Sequence, residues 1–349
     1  MTSFASGVSP KSVAAAAFRL REFGVLAALA ATVLLFAVHT TNFATVGNWQ
    51  DIAADVAMVV VVAVGETMVI LTRNIDLSVG SVVGLTGYLS SYTLVHNQGI
   101  PTGIIALLAM AIGLACGVAN GILVVVGRVP AIIATLATLT IYRGVVFEVA
   151  GGSVINADEL PGRFLNLGVQ KPLGLPLLAW IAIGIALLGA LILRWAPWGR
   201  DFYAIGSDPQ AARLAGIPVG WRVMATFAIS GALAGLGGFF FVARFAGIDV
   251  TAGQGFELTV ITAVVIGGVN VFGGSGSILG ATIGAILVST INNGFTLLKI
   301  SYFWLTLVEG VGIVAAVTMN ALITRRLQVF QRRRRYVELL AARSHGAEE

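Results

Sequence analysis

Six ionisable side chains, Glu66, Arg73, Asp76, Arg143, Glu148 and Glu309, stand inside or at the edges of long apolar stretches of this 349-residue chain. A charged group at the centre of a bilayer costs about 2.5 to 3.5 kcal/mol on insertion scales, so such residues face a bundle interior, a wet path or a membrane surface. There they can carry a proton or an ion, or hydrogen-bond a polar solute. For Glu66 and Glu309, bonding to a neighbouring helix and lining a path are equally open. Arg73 and Asp76 lie three apart and can pair with each other, while Arg143 and Glu148 fall near a segment end from which they can reach the surface. A second polar set is built from glycine and amides. Arg73-Asn74-Ile75-Asp76-Leu77-Ser78 interrupts the apolar chain, and the framework returns 196 positions later as Asn270-Val271-Phe272-Gly273-Gly274. In that register Asn74, Gly80, Ser81, Gly84 and Thr86 match Asn270, Gly276, Ser277, Gly280 and Thr282, which makes an internal repeat. Paired interruptions of apolar segments point to a transport site built on broken helices, because irregular backbone at membrane depth survives only where protein buries it or a cavity wets it. Asn74, Asp76, Ser78, Ser81, Asn270, Gly273 and Gly274, with Glu66 and Glu309, are therefore the candidates for a translocation path.

Catalytic chemistry finds no such support. The lone Cys116 lies in an apolar segment and cannot build a disulfide framework or metal cluster by itself. His39, His96 and His345 are scattered, so no metal site is expected, and no acid, base and nucleophile converge at catalytic spacing.

The elements that must position these residues follow from composition. Apolar residues make up 57% of the chain and charged ones 11%, against about 45 to 50% and about 25% in soluble domains. Crossing a hydrocarbon core takes about 20 helical residues. The apolar runs predict ten crossings, at about 23–40, 51–72, 78–95, 103–126, 131–150, 175–195, 222–243, 257–271, 277–298 and 303–324. The expected fold is an all-α integral membrane protein with an internal pseudosymmetric repeat and broken helices. Residues 1–22 form an N-terminal segment, 23–324 the membrane domain with repeat halves at about 51–150 and 222–324, and 325–349 a basic tail. Sixteen of the 21 Lys and Arg residues fall on one side of this topology, Arg128, Arg200 and Arg213 among them. The excess of basic residues marks the cytoplasmic side and puts both termini there. The arginines of 325–335 suit anionic lipid just inside a membrane, not nucleic acid.

Two further patterns concern packing. Gly113, Gly117 and Gly121, and again Gly276, Gly280 and Gly284, recur at four-residue spacing, which lets helices touch at the backbone. The connection at about 196–221 carries start and stop signals for a short helix. Ser207 or Asp208 can cap it, Pro209 opens it, Gln210-Ala211-Ala212-Arg213-Leu214-Ala215 favours it, and Gly216 with Pro218 ends it. About seven residues, near 10 Å at about 1.5 Å per residue, are marginal in water alone. Such a helix needs something to hold it, either a soluble partner or the membrane face of its own subunit.

Four motifs carry a family resemblance. Asn74-Ile75-Asp76-Leu77-Ser78-Val79-Gly80-Ser81, Val129-Pro130-Ala131-Ile132-Ile133-Ala134-Thr135-Leu136 leading to Tyr142-Arg143-Gly144, Tyr203-Ala204-Ile205-Gly206 leading to Ala211-Ala212-Arg213-Leu214-Ala215-Gly216-Ile217, and Gly267-Gly268 to Gly276-Ser277 are similar to the permease subunits of ribose-type sugar ABC importers. Leu71-Thr72-Arg73-Asn74-Ile75-Asp76, where many relatives carry small residues before the Ile-Asp, looks most like the rhamnose and autoinducer-2 branch. The resemblance implies a multi-pass subunit of the bacterial inner membrane that is not itself an enzyme. Its implied partners are a second permease subunit, cytoplasmic ATPase subunits that hold ATP and Mg, and a periplasmic sugar-binding protein. It also implies that residues 207–217 are the segment that docks on the ATPase. The chain's own residues agree, since Gly273-Gly274-Ser275-Gly276-Ser277 lacks the lysine of a phosphate-binding loop. The alternative from the residues is an ion-coupled secondary transporter with Glu66 or Asp76 as proton carrier.

Overall fold

The computed structural model describes residues 10–301 and 303–318; the basic tail at 325–349 and the first nine residues lie outside them. Among the described residues the chain is helical, with no strand and one isolated antiparallel bridge between Ile155 and Ile248. The helices are α1 (Pro10–His39), α2 (Val46–Leu71), α3 (Val79–His96), α4 (Thr102–Val125), α5 (Ala131–Ala150), α6 (Gly162–Val169), α7 (Leu177–Trp195), α8 (Pro197–Ser207), α9 (Pro209–Leu214), α10 (Val219–Phe245), α11 (Phe256–Ile266), α12 (Ile278–Leu297) and α13 (Phe303–Thr318). Six of them, α2, α4, α5, α7, α10 and α12, are long and apolar enough to cross a membrane.

Each of the ten expected segments is occupied by a helix, but not all of them cross. The segment expected at 257–271 stops at Ile266, because Gly267 and Gly268 follow and Gly268 takes φ +92°. At 11 residues, α11 covers about 16 Å, half of a hydrocarbon core of about 30 Å, so it is a true half-helix. Sequence reading leaves α6 and α8 out altogether. Both are short, and α6 is held in the bundle mainly by buried Phe164, stacked edge-on against Phe239 at 5.3 Å.

The chain folds around α2. Every residue from Ala57 to Leu71 is buried, as expected of a helix that is apolar all round, and α10, α12, α7 and α11 pack on it. The small-residue stripe of α4 works as an interface. Gly113 and Gly117 face Gly231, Gly235 and Phe227 of α10 so closely that a methyl group on either would collide with a carbonyl oxygen. Gly280 and Gly284 of α12 bring that helix equally close to Gly267 and Ala263 of α11. By contrast, α4, α5 and α7 turn Leu107, Ile133 and Leu187 outward, as helices bordering lipid do.

Candidate functional site

The two ends of α2 reach different features. Its first half, with Asn48, Asp51 and Asp55, lines a cavity of about 1080 Å³ together with Arg244 at the end of α10, the 246–255 loop and the second half of α12. The polar groups here are oriented by their partners. Arg244 Nε donates to Asp55 Oδ1 at 2.8 Å, and its Nη1 lies 3.2 Å from Asp51 Oδ1, so one guanidinium spans carboxylates one turn apart on α2. Asn48 and Asn293 exchange amide hydrogen bonds across α2 and α12. Asp249 accepts from the Thr251 backbone and hydroxyl, both at 2.6 Å. Amides and carboxylates interleaved with Met58, Phe241 and Phe256 can meet hydroxyl groups at polar points and C–H faces at apolar ones, the mixture a small-molecule site needs.

At its other end α2 meets the segment with helix-punctuation signals. α8 starts at Pro197 and ends at Ser207; Asp208 then turns extended and its Oδ1 accepts from Gln210 N at 2.9 Å and Ala211 N at 3.1 Å, capping α9. Gly216, at φ +82°, ends the unit. The cap is thus Asp208, with Ser207 closing the preceding helix. The face of α9 divides sharply, since Ala212 is buried against the bundle while Leu214 is 91% exposed. Both chain interruptions arrive here. Gly274 N donates to Leu71 O at 3.0 Å, which joins the second interruption to the first. Arg73 Nε donates to Gly206 O at 2.5 Å and its Nη2 to Ser207 O at 2.6 Å. From α8, Tyr203 donates its hydroxyl to Gly276 O at 3.1 Å, and burial holds that phenol above its ordinary pKa, so it stays a donor.

The candidate path residues separate into four places. Asn74 donates to Thr72 O and Oγ1, and Asn270 donates to Gly273 O and accepts from Phe272 N, so both amides close their own loops. Gly273 and Gly274, at φ +81° and +74°, lie against Arg73 and Ser207. Glu66, Asp76 and Ser78 form a buried polar cluster: Asp76 N donates to Glu66 Oε1 at 3.1 Å, and Ser78 N and Oγ donate to Asp76 Oδ1 at 3.0 and 2.6 Å. Asn120 of α4 completes it, donating to Ser78 Oγ at 2.8 Å, while Tyr142 of α5 donates to Cys116 O at 3.0 Å beside it. Glu66 Oε2 is buried with no partner among the described residues. Ser81 donates to Leu139 O and lies a turn inside α3, whereas Ser277 caps α12. Glu309 stands apart, accepting from Thr259 Oγ1 at 2.8 Å.

The partners of two arginines bear on arrangements the sequence left open. Arg73 does not pair with Asp76, because its side chain turns to the end of α8 while Asp76 is taken up by Ser78, Glu66 and Asn120. Arg143, part-buried, is held by the loop after α10: its Nη1 donates to Ala252 O at 2.6 Å and Val250 O at 3.3 Å. Sequence reasoning also passed over Asn48, Asn120, Arg244 and Asn293 as site residues. Each lies in or beside an apolar helix, and nothing in local spacing says which distant partner completes it.

Comparison with known proteins supplies the family. Residues 48–319 match the family described as "Branched-chain amino acid transport system / permease component". The chain is 38% identical to the ribose import permease protein RbsC of Escherichia coli strain K12 over 304 residues, covering 86% of this chain and 94% of that one. It is 32% identical to the autoinducer 2 import system permease protein LsrC of Salmonella typhi over 321 residues, 92% of this chain and 91% of that one, and to the LsrC of Salmonella typhimurium at the same identity and coverage. No solved structure matches the chain. With the match spanning α2 to α13, the half-helix α11 and the capped α9 included, the chain is a multi-pass membrane permease that belongs to this transport-system permease family, and within it to the ribose-type importers.

Proposed function

We propose that this chain is the membrane subunit of an ATP-driven importer that carries a neutral monosaccharide-sized solute, ribose-, rhamnose- or autoinducer-2-like, across the bacterial inner membrane. The observation that carries the reading is α9: a capped helix, 91% exposed at Leu214, that directly follows α8, whose Tyr203 and Gly206 are hydrogen-bonded to the two chain interruptions. A helix of six residues is too short to be stable alone, and an exposed leucine at its tip is suited to a pocket on a separate protein. The partner is a cytoplasmic ATPase subunit that holds ATP and Mg and performs hydrolysis. α9 and both termini then face the cytoplasm, and the cavity at the opposite end of α2 faces the periplasm. There a sugar-binding protein delivers solute, and a second permease subunit, identical or related, completes the path. The solute passes from that cavity toward the Glu66–Asp76–Asn120 cluster, with the interruptions at 73–81 and 270–277 closing the inner end.

The adjacent buried carboxylates of Glu66 and Asp76 favour a second reading, an ion-coupled secondary transporter. Liposomes holding the chain with its ATPase separate the two. Uptake of labelled ribose that requires ATP and the binding protein, and survives collapse of the ion gradients, is expected; uptake that persists without ATP and stops with the gradient selects the second.

A further inference from the structure

Arg73 has an unusual backbone and an unusual set of contacts. Its φ of +66° lies in the left-handed region, where a side chain is strained and glycine is favoured. The side chain is exposed, so burial of apolar surface does not explain its presence. What it does reach is the end of α8: Nε to Gly206 O at 2.5 Å and Nη2 to Ser207 O at 2.6 Å. The last carbonyls of a helix lack partners within it and carry partial negative charge. A guanidinium offers them a rigid fork of donors that a lysine cannot reproduce. Gly206 is also where the second interruption comes in, because its Cα packs so tightly between Leu71 O and Gly274 N that no side chain fits. Asp208, two residues on, caps α9. The stem of the exposed helix is therefore held to the first interruption by Arg73 and wedged against the second at Gly206.

We propose that Arg73 is the positioning residue that passes displacement of α9 to the interruption after α2, with Gly206 as the point at which the interruption after α11 is drawn into the same motion. This rests on α9 being the docking helix of an ATP-driven importer. When the ATPase partner moves α9, the α8 terminus moves with it, and the Arg73 fork drags Thr72–Ser78 and the start of α3. Gly274, bonded to Leu71 O, follows. Without the guanidinium, α9 still docks and the partner still hydrolyses ATP, but the stroke is not delivered.

The test uses the whole complex, permease with ATPase and binding protein, in liposomes. Arg73→Gly is the informative variant because glycine relieves the φ strain while removing the fork. Expected are intact co-purification, basal ATP hydrolysis and half-saturating binding-protein concentration within about twofold of the unaltered complex, and a fall of about tenfold in solute moved per ATP, the scale of losing charge-assisted hydrogen bonds. Arg73→Lys, which keeps charge without the fork, recovers only part of the loss. Wild-type coupling in the Arg73→Gly complex overturns the proposal and leaves the importer reading standing. Loss of co-purification in that variant also overturns it, since Arg73 would then serve assembly. Uptake by the unaltered complex that needs no ATP overturns the importer reading and this proposal together.

Discussion

Asn48 and Asn293 exchange two hydrogen bonds, Nδ2 to Oδ1 in each direction at 3.0 and 2.9 Å, and so clasp α2 to α12 at the wall of the cavity. Asn48 also donates to Phe43 O at 3.0 Å, which ties the clasp to the turn after α1. Each single alanine substitution leaves a partner amide unsatisfied, a cost of about 1 to 3 kcal/mol. The double substitution strands neither side chain. The double-mutant cycle, read by thermal unfolding in detergent, is expected to give a coupling energy of about 1 kcal/mol, with the double variant less destabilised than the two singles added.

The meeting of α4 and α10 should be the least tolerant packing seam. Gly117 leaves no room for a methyl group against Phe227 O and Gly231. Gly117→Ala forces these helices apart, and a loss of about 1 to 3 kcal/mol is expected. Gly144, which has open space around its Cα, serves as the control, and Gly144→Ala should leave the melting temperature of the purified chain unchanged or raise it slightly.

Asp76 organises the start of α3 through Oδ1, which takes donors from Ser78 N, Ser78 Oγ and Asn120 Nδ2. An asparagine offers the same oxygen. Asp76→Asn should therefore fold and assemble normally, whereas Asp76→Ala should cost about 1 to 3 kcal/mol from buried donors left without an acceptor. Expression with size-exclusion profile and melting temperature of the two variants checks this directly.

The cap on α9 is separable from the exposed face proposed to dock on the ATPase. Asp208→Ala removes an acceptor for Gln210 N and Ala211 N and is expected to cost about 1 kcal/mol, while Asp208→Asn restores most of it. Leu214→Asp leaves the cap intact and should instead abolish co-purification of the ATPase partner, measured by pull-down from membranes.

Tyr203 links α8 to Gly276 through a phenol whose pKa burial holds above the usual value of about 10. A folded pKa raised above the unfolded one gives stability that is fully present below about pH 10 and is lost as pH rises through the folded value. The stability difference between the natural chain and Tyr203→Phe, about 1 kcal/mol for a hydrogen bond, should stay flat from about pH 6 to 9 and shrink above about pH 10. Thermal melts across that range read it.

Much of the architecture was legible because a bilayer imposes a length and a polarity on each crossing. The half-helix was not legible: the sequence puts the break at 270–277 and gives 257–271 a full crossing, an end five residues too far on, since Val269 and Val271 continue the apolar run past Gly267–Gly268. The α9 signals were local and therefore readable: a capping carboxylate, a proline at the first turn and a glycine at the stop. α8 was missed because Trp198-Gly199-Arg200-Asp201 reads as a polar connector, and only the burial of Phe202 and Ile205 against the bundle makes it a helix.

By its four motifs the sequence resembles the sugar-importer permeases, and by itself it determined a multi-pass helical protein, about where the apolar chain is interrupted, and where a short helix begins and ends. These follow from properties of consecutive residues: the length of apolar runs, the spacing of glycines, and the capping chemistry of Asp208 and Pro209. The tertiary structure alone decided what each polar group does. Arg73 turned from Asp76 to the carbonyls of Gly206 and Ser207, Asn48 found Asn293, and Asn120 joined Asp76 and Ser78. The physical reason is that a buried polar group must be satisfied by whichever partner the packing of distant segments brings within about 3 Å, and one-dimensional spacing carries no record of that distance.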